Sequence, residues 1–513
     1  MFDRRSFLGT VAAAGGSLVA GSAAAQTSAQ SAQSAPPIAA DRPGPARQAP
    51  PDAISVLADY MVETPAAAIP RRILDLTQRQ LVDTVAVAIA ARDEDGVRQL
   101  RELHEEIGGT GESAVWGSGL RLPTHDAARI NGTMAHALEF DDTFGRGFLH
   151  PSAITFPAAL AVADLVGGVS GAEFLTATAL AVDVACRISI AGQPGVDGFA
   201  TGWHNTALVG YLSSALLAGR LMGLDRDQLI NAAGIACHQA AGNAQSHVDG
   251  ALTKRLGPGF ASSAGIMAAR LAARGVTGPH NVLEGEKGWF SQYHRGNYSR
   301  ALLLQDLGVS FPAEETSFKP WPSCRGSHTS ADAALQLVSA HGLRAEDVDR
   351  IVLRNGPAEY PFLSTPIESK RHPQSVVEAQ FSIPWVVAAA FVDGKMSIAQ
   401  FTSGALQRRD IHAMAERITP MQDDSLANPR GGPGHAQIDL TLRDGRMLSK
   451  RVVAAKGDPE APLSQEEIDA KFLDCVAYAG LSPAQGAAIR EVALGIAALD
   501  DVSTLSRELM TDT

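Results

Sequence analysis

The segment Asn131-Gly-Thr-Met-Ala-His-Ala-Leu-Glu-Phe-Asp-Asp-Thr143, followed by His150-Pro-Ser152, concentrates polar groups within a region rich in Ala, Leu and Gly. Three carboxylates, Glu139, Asp141 and Asp142, stand close to a threonine hydroxyl and a histidine. Polar groups are costly to bury unless they are paired or used in chemistry. The segment therefore predicts a functional site set into the apolar body that surrounds it.

Helical periodicity continues on both sides of this segment, from about residue 52 to residue 310. The run Leu74 to Ala90 places apolar residues at helical spacing, and Thr77 stands where an N-cap is expected. Many helical runs are rich in Ala and Gly, which lets helices pack closely. These runs are 157–166, 172–190, 206–221, 227–241 and 259–274.

After about residue 315 the pattern becomes a mixture of strands and helices. Strand-like alternation occurs at 348–354, 436–442 and 447–453, with Arg443-Asp-Gly-Arg446 as a hairpin turn between the last two. Helices are predicted at 328–341, 376–392 and 406–418. A capping box at Ser464–Glu467 then returns the chain to helix. The fold is predicted to be mainly α, with an all-helical domain and a smaller α+β domain.

The N-terminus is predicted to be an export signal rather than part of the fold. Arg4-Arg5 followed by Ser-Phe-Leu resembles a twin-arginine signal, and Ala23 and Ala25 form an A-x-A site, so cleavage after Ala25 is expected. An uncleaved membrane anchor is the alternative, although the apolar run is weakly hydrophobic. The mature protein is expected in the periplasm, without a membrane segment.

The predicted organisation has five parts. They are a twin-arginine signal at 1–25, a disordered linker at 26–51, a helical domain at 52–314, an α+β domain at 315–455, and C-terminal helices at 456–513 that return to the helical domain. The linker is predicted from its Gln, Ser, Ala and Pro content and its lack of core-forming residues.

Composition excludes several classes of partner. The chain has 513 residues and a formal net charge of −12, which argues against nucleic acid or an anionic membrane surface as partner. A small anionic substrate stays possible, because a buried group of Lys, Arg and His can be locally positive. The four cysteines form no CxxC pair and predict neither a zinc site nor a disulfide framework.

Three further polar clusters interrupt the apolar pattern. His204 stands at the head of an Ala-rich helix, where the helix dipole disfavours a protonated imidazole. A loop rich in Gly and Pro carries Lys254 and Arg255. In Phe318 to His328, two prolines stiffen a segment that bears Lys319, Arg325 and His328 at the boundary between the two domains.

Each cluster also has a purely structural interpretation. Asp141 and Asp142 could cap a helix or lie in a solvated loop, His150 could be a turn residue and His204 a packing residue, and Lys254 and Arg255 could form a solvated pair. A metal site is another alternative, since Asp, Glu and His are common ligands. No tight ligand spacing such as HExxH occurs in the sequence, so no metal is predicted.

Six segments, in order, resemble the MmgE/PrpD family, which includes 2-methylcitrate dehydratases and cis-aconitate decarboxylases. The resemblance extends from about residue 52 to residue 500. The segments are NGTMAHALEFDDT, WHNTA, DGALTKRLGPG with TGPHNVLEGEKG, KPWPSC with the later His, EAQFSIPWVVAAA, and GHAQIDLTLRDG with KGDPEAPLSQEEIDAKF.

The resemblance implies an all-helical domain with an α+β lid, a homodimer, and chemistry without a metal or organic cofactor. By similarity the catalytic residues are Glu139, Thr143, His150, His204 and Lys254, with Asp142 sharing the work of its motif. Lys319 and Lys254 are implied to bind substrate, and Arg325, His328 and Arg146 are further candidates for that role. Arg146 lies in an atypical stretch, Phe144 to Leu149.

Some motif positions depart from the family pattern. Asn205 stands where many members have Pro, Gly257 where many have His, Trp385 where Tyr is frequent, and Glu139 where Asp is frequent. These changes affect the expected pocket more than the expected fold.

The resemblance implies a lyase that acts on a small polycarboxylate. We expect a hydro-lyase similar to 2-methylcitrate dehydratase, in which a base removes a proton next to a carboxylate while cations stabilise the charge that develops. Decarboxylation or epimerisation of a related di- or tricarboxylate is the alternative. An exported carboxylate-binding protein without catalysis is the alternative of another class.

Overall fold

The computed structural model describes residues 50–192 and 202–510. The predicted signal at 1–25 and nearly all of the predicted linker at 26–51 lie outside the described residues.

Helices dominate the chain up to residue 304, which confirms the prediction of a mainly α fold. In chain order they are α1 (Ala53–Glu63), α2 (Arg71–Ala90), α3 (Val97–Ile107), α4 (Thr124–Ala137), α5 (Pro151–Val166), α6 (Gly171–Ala191), α7 (Asn205–Leu221), α8 (Arg226–Gln239), α9 (Gln245–Val248), α10 (Thr253–Ala272), α11 (Trp289–His294) and α12 (Arg300–Leu304). Two short antiparallel pairs accompany them: β1 (Ser113–Ala114) with β2 (Arg121–Leu122), and β3 (Thr143–Phe144) with β4 (Thr316–Ser317).

Helix α2 begins earlier than its sequence pattern predicts. Pro70 precedes its first residue, Arg71, and proline is well suited to a helix start because it needs no backbone donor there. Thr77 lies inside the helix, where its hydroxyl donates to the carbonyl of Ile73 at 2.8 Å. The expected N-cap at Thr77 is therefore wrong, since this side chain bonds backwards along the helix instead.

The smaller half consists of a four-stranded sheet covered by helices. Its strands are β5 (Val348–Asn355), β6 (Ile418–Gln422), β7 (Ala436–Leu442) and β8 (Met447–Val452), in the order β6-β5-β7-β8, with β5 and β6 parallel and the other pairs antiparallel. The helices of this half are α13 (His328–His341), α14 (Ile367–Arg371), α15 (Val376–Gln380), α16 (Ile383–Asp393) and α17 (Arg409–Ala415).

Most predicted elements of this half are confirmed. The hairpin formed by β7 and β8 and the helix at 328–341 occur as the sequence predicts. The predicted helix at 376–392 divides into α15 and α16, because Ser382 caps a new helix that has Pro384 in its first turn. The predicted helix at 406–418 is shorter, and Ile418 instead begins β6.

The C-terminal segment packs against the helical half. Its helices are α18 (Gln465–Tyr478), α19 (Pro483–Leu494) and α20 (Ser503–Leu509). The capping box at Ser464 and Glu467 is confirmed. Lys471 of α18 donates to the carbonyl of Phe140 at 2.8 Å and pairs with Asp83 of α2 at 2.6 Å. The C-terminal segment therefore holds the chain that follows α4.

Two hydrophobic clusters form the interior. One joins the helical half to α18, α19 and α20, and the other fills the smaller half between the sheet and its helices. Within the described residues, α6 is the one helix whose length and apolar composition would suit a membrane span, and its apolar window is wholly buried inside the protein. The predicted domain boundaries stay a prediction.

Helices α4 and α10 cross in very close contact. A Cβ atom placed on Gly259 would lie 2.1 Å from the carbonyl oxygen of Arg129, and one placed on Gly132 would lie 3.0 Å from the Cα of Gly259. Only residues without a side chain allow this approach. The contact sets the distance between the chain that leaves α4 and the chain that enters α10.

Candidate active site

A cavity lies between the helical half and the smaller half. Helix ends and loops of the helical half supply polar and aromatic lining residues, which are Glu139, Thr143, Gly145, Phe148, His150, Trp203, His204, Asn205, His247 and Lys254. The smaller half supplies Cys324, Arg325, Gly326, Ala358, Glu359, Phe362, Leu363, Phe381 and Pro433.

Glu139 occupies the centre of the charged part of this cavity. It follows the end of α4 and has a left-handed backbone conformation, with φ of 53°. Its carboxylate forms an ion pair with Lys254 and lies 3.4 Å from Nζ of Lys319, which also donates to the backbone carbonyl of Glu139 at 2.9 Å. One carboxylate thus pairs with two lysines from distant parts of the chain.

Pairing of β3 with β4 brings Lys319 to this position. Thr143 lies opposite Ser317 in the two-stranded ribbon, so the segment that bears Lys319 continues past the polar motif. Lys319 is completely buried, and its Nζ also lies 4.0 Å from Asp141. A buried ammonium needs such partners, because an unpaired buried charge is strongly destabilising.

Four imidazole rings form a continuous cluster beside the lysines. The ring centroids of His136 and His150 are 4.7 Å apart, those of His136 and His204 are 5.7 Å apart, and those of His204 and His247 are 4.7 Å apart. The four rings come from α4, the starts of α5 and α7, and the short helix α9. The rings of His150, His204 and His247 line the cavity, and His136 packs against two of them.

The hydrogen bonds of His150 assign its tautomer. Its Nδ1 lies 2.8 Å from the backbone carbonyl of Asp142 and 3.2 Å from the carboxylate of Asp141, and both of these groups are acceptors. Nδ1 therefore carries the proton, which leaves a lone pair on Nε2. The carboxylate of Asp141 would stabilise the imidazolium that forms when Nε2 accepts a proton.

The other rings of the cluster are held neutral. Burial, reinforced by the neighbouring imidazoles, keeps the pKa of His204 well below its usual range, and burial lowers the pKa of His247 to about 4. Burial also lowers the pKa of His136, whose Nδ1 donates to Asp141 at 2.7 Å. Neutral rings can donate or accept a hydrogen bond without adding charge to the site.

Burial acts in opposite directions on the pKa values of the two lysines and of Asp141. It lowers the pKa of Lys254 well below its usual value, and the charge of Lys319 adds to that effect. Burial also lowers the pKa of Lys319. For Asp141, burial acts to raise the pKa, but the imidazoles of His136 and His150 outweigh it and hold the pKa well below its ordinary value.

Most of the residues predicted from sequence meet at this cavity. Glu139, Thr143, His150, His204, Lys254 and Arg325 line it, and Lys319 lies directly behind Glu139. The side chain of Arg325 forms an ion pair with Asp458, while its Nη1 is buried and has no hydrogen-bond partner among the described residues.

Three predicted site residues lie elsewhere. Asp142 turns away from the cavity and accepts hydrogen bonds from Ser152 at 2.5 Å and Gln80 at 3.0 Å. Arg146 pairs with Glu315 at 2.6 Å and lines an outer cleft rather than this cavity. His328 is completely buried at the start of α13, against the ring of Trp321 and the carbonyl of Ser323.

The physical reason is local in each case. The carboxylate of Asp142 is engaged by the hydroxyl of Ser152 and the amide of Gln80. Arg146 has a nearer carboxylate outside the cavity, and His328 is covered by its own loop. None of these three residues is among the described lining residues of the cavity, and their contact with substrate stays a prediction.

Sequence reasoning missed several residues of the site. His136 is part of the polar motif, and its spacing to Asp141 was the signal that could have identified it. His247 stands shortly before the segment that bears Lys254. Glu359 and Phe381 line the cavity from the smaller half, and no local pattern in the sequence marks them as site residues.

Within residues 50–192 and 202–510, two groups of side chains have the donors and spacing of a metal site. His136, Asp141 and His150 form one group within the cavity region, and Glu368, His372 and Glu416 form another near the protein surface. In the first group, the carboxylate of Asp141 is engaged by both imidazoles and lies 4.0 Å from an ammonium. In the second, Arg371 pairs with both glutamates. In both groups the carboxylates therefore already have cationic or imidazole partners within the protein.

The proteins to which this chain is similar include cis-aconitate decarboxylases and 2-methylcitrate dehydratases. The cis-aconitate decarboxylase of Homo sapiens is 28% identical over 414 residues, which cover 78% of this chain and 83% of the relative. The cis-aconitate decarboxylase of Aspergillus terreus is 26% identical over 455 residues, or 85% and 91% of the two chains. The 2-methylcitrate dehydratase of Cupriavidus necator is 26% identical over 415 residues, or 74% and 80%.

Two family domains together cover most of the described chain. Residues 55–301 match the MmgE/PrpD N-terminal domain, and residues 321–495 match the MmgE/PrpD C-terminal domain. Both matched domains supply lining residues of the cavity. The first supplies Glu139, His150, His204 and Lys254, and the second supplies Arg325 and Phe381. This chain therefore belongs to the MmgE/PrpD family.

Proposed function

We propose that the protein is a lyase that breaks a bond next to a carboxylate of a small polycarboxylic acid, without a cofactor. The observation that carries the proposal is the pairing of His150 with Asp141 beside the ion pair of Lys254 and Glu139. A base with a free lone pair and an ammonium that can bind a carboxylate then face the same cavity. Carbanion chemistry requires this combination.

For dehydration, which we propose first, Nε2 of His150 removes a proton from the carbon next to the carboxylate. The electron pair of the broken C–H bond moves into an enediolate, whose charge the ammonium of Lys254 stabilises. The bond from the neighbouring carbon to its hydroxyl then breaks, and an acid supplies the proton with which the hydroxyl leaves as water. His204 or Thr143 can hydrogen-bond this hydroxyl, since both line the cavity. A carbon–carbon double bond remains.

Decarboxylation is the second candidate. The relatives named cis-aconitate decarboxylase match at 26–28% identity over 78–85% of the chain, whereas those named 2-methylcitrate dehydratase match at 24–26% over 66–74%. In this reaction the bond from carbon to a carboxylate breaks and carbon dioxide leaves. The electron pair stays on the carbon skeleton, where a protonated imidazole supplies the proton.

Incubation of the purified protein with di- and tricarboxylic acids in deuterated water tests the proposal. A lyase incorporates deuterium next to a carboxylate, forms an alkene or releases carbon dioxide, all of which NMR detects. A carboxylate-binding protein without catalysis would only raise its melting temperature. Thermal stabilisation by several acids, with neither exchange nor product, would overturn the proposed lyase.

A further inference from the structure

We propose that the substrate is a dicarboxylic acid with an apolar substituent, with one carboxylate at Lys254 and the other at Arg325, rather than a tricarboxylic acid. This inference rests on the proposed lyase function and adds the class of its substrate. It depends on the balance of charge in the cavity, on the free donor of Arg325 and on the aromatic wall next to Lys254.

The cavity has no surplus of positive charge. Among its described lining residues, the cations Lys254 and Arg325 are matched by the anions Glu139 and Glu359. Immediately behind the lining, Lys319 is matched by Asp141. A tricarboxylate would bring three negative charges into this balanced and largely buried space, where uncompensated charge is costly.

The protonation states of the two histidines and of Lys254 do not restore a surplus of positive charge in the cavity. Burial holds the imidazoles of His204 and His247 neutral, because it lowers the pKa of both rings. It also lowers the pKa of Lys254, which can only reduce the positive charge of the cavity. Each of these shifts disfavours a highly charged substrate.

Two positions remain where a substrate carboxylate can be held. Lys254 can exchange part of its contact with Glu139 for a substrate oxygen at the polar end. Arg325 is nine-tenths buried, and its Nη1 has no partner among the described residues while another nitrogen pairs with Asp458. An unpartnered buried guanidinium nitrogen is a strong site for a second carboxylate.

An aromatic wall begins directly beside Lys254. The ammonium of Lys254 lies 5.4 Å from the ring centroid of Phe381, and the rings of Phe381 and Phe362 are 5.8 Å apart. Leu363 continues this surface, and Phe148 and Trp203 line the cavity from the helical half. Carboxylates gain little from such a surface, whereas an alkyl or aryl group gains free energy for each carbon that it buries.

Glu359 strengthens the discrimination between substrates. Its Oε1 accepts a hydrogen bond from the backbone N–H of Gly434 at 2.7 Å, which fixes the carboxylate at the cavity wall. A third carboxylate of a substrate in this confined space would meet a like charge, and such contacts select against the wrong ligand. Glu359 is therefore a specificity-determining residue in this interpretation.

Steady-state kinetics with three groups of acids tests the inference. The first group is citrate, 2-methylcitrate and cis-aconitate, the second is malate, and the third is malate substituted with isobutyl or benzyl. We expect the substituted acids to exceed malate in kcat/KM by about tenfold or more, since two or more extra carbons are buried. They should exceed the tricarboxylates by a larger factor.

Two variants and one control separate the effect of the Glu359 charge from the effect of the aromatic wall. Glu359→Gln should improve kcat/KM for citrate relative to malate by about tenfold, because it removes a like charge. Glu105→Gln, which removes the same charge from the exposed surface of α3, should leave this ratio unchanged. Phe362→Ala should reduce the ratio of kcat/KM for benzyl-substituted malate to kcat/KM for malate. The corresponding ratio for citrate and malate should stay constant.

The outcomes distinguish this inference from the proposed lyase. Equal or faster turnover of the tricarboxylates would overturn the inference and leave the lyase intact. Thermal stabilisation by the substituted acids, without turnover or deuterium exchange of any acid, would overturn the lyase but retain the class of ligand. If no acid is turned over, exchanged or bound, both are overturned.

Discussion

At the scale of single residues, the hydrogen-bond and ion-pair partners of three buried carboxyl groups organise the site. Glu139 serves two lysines, Asp141 serves two imidazoles, and Asp142 is held by a hydroxyl and an amide. Such pairing is the condition under which charged groups persist away from water. Each carboxylate of the motif consequently has a different task, although the three are neighbours in sequence.

Two of the cavity histidines, His150 and His204, should be essential for turnover but not for folding. We expect His150→Ala and His204→Ala to lose about 100- to 10,000-fold in kcat, since each removes a group placed for proton transfer or hydrogen bonding. The exposed His341→Ala is the matched control and should keep full activity. Turnover close to normal in both cavity variants, with folding verified by circular dichroism, would contradict the assignment.

Asp142 should make the stability depend on pH. Burial, together with the charges of Asp141 and Asp83, raises its pKa to about 7 from an ordinary value of 3.8. Between about pH 4 and pH 7 the folded protein therefore keeps a proton that the unfolded chain releases. The free energy of unfolding contributed by this group falls as pH rises through that window, by up to about 1.4 kcal/mol per pH unit.

Asp142→Asn removes this dependence, because an amide does not titrate. The variant should gain stability relative to the wild type between pH 5 and pH 7, as measured by urea unfolding at both values. Asp349→Asn, at an exposed position, is the control. If the difference in stability between wild type and Asp142→Asn is the same at both pH values, Asp142 does not hold the proton.

At the scale of elements, the reactive groups stand at helix ends. Glu139 follows α4, His150 and His204 precede the first residues of α5 and α7, and Lys254 is the second residue of α10. A helix N-terminus disfavours a protonated imidazole, which agrees with the lowered pKa of His204. Helix ends also place side chains at the surface of a packed bundle, where a cavity can form.

The crossing of α4 and α10 should control both stability and activity. Gly259→Ala would place a methyl group within 2.1 Å of a backbone oxygen of α4, so the helices must separate. We expect a loss of about 1–3 kcal/mol in the free energy of unfolding and a lower kcat/KM, because Glu139 and Lys254 move apart.

Gly119→Ala provides the comparison for that experiment. A Cβ at Gly119 meets no described atom within 4 Å, so this variant should match the wild type in stability and activity. Calorimetry and kinetics on the same preparations measure both effects. Wild-type behaviour of Gly259→Ala would mean that the close crossing does not set the site.

At the scale of the whole molecule, the outer face of α10 suggests how copies of the chain associate. Apolar residues at steps of three or four form a partly exposed stripe, which consists of Leu252, Leu256, Phe260, Ala264, Met267 and Leu271. The exposed Val248 extends it. Solvent-facing apolar surface of this kind is typical of protein interfaces, and we propose that it contacts a second copy in a homodimer.

Phe260→Asp should weaken that association by about 100-fold or more, since it introduces a charge at the centre of the stripe. Sedimentation velocity over a range of concentrations measures the change. Val309→Asp, at another exposed apolar residue, is the control and should leave the oligomeric state unchanged. An unaltered dimer in Phe260→Asp, or a monomeric wild type, would contradict this interface.

Features that depend on local pattern can be predicted from the amino-acid sequence alone. Helical periodicity, the capping box at Ser464 and the alternation in β7 and β8 act over a few residues, so the mainly helical fold and the smaller half with its sheet could be predicted. The polar motif between residues 131 and 143 also indicated a site, because unpaired polar groups within apolar sequence are costly.

Which of those polar groups meet in the cavity depends on long-range contacts in the folded protein. Lys319 and Glu139, which are 180 residues apart, meet because β3 pairs with β4. Asp142, Arg146 and His328 face other partners, and Glu359 and Phe381 enter the cavity without any local signal. The charged residues can be read from the sequence, but their neighbours in space cannot. The charge, protonation and shape of a buried cavity depend on distances between segments that are far apart in the chain.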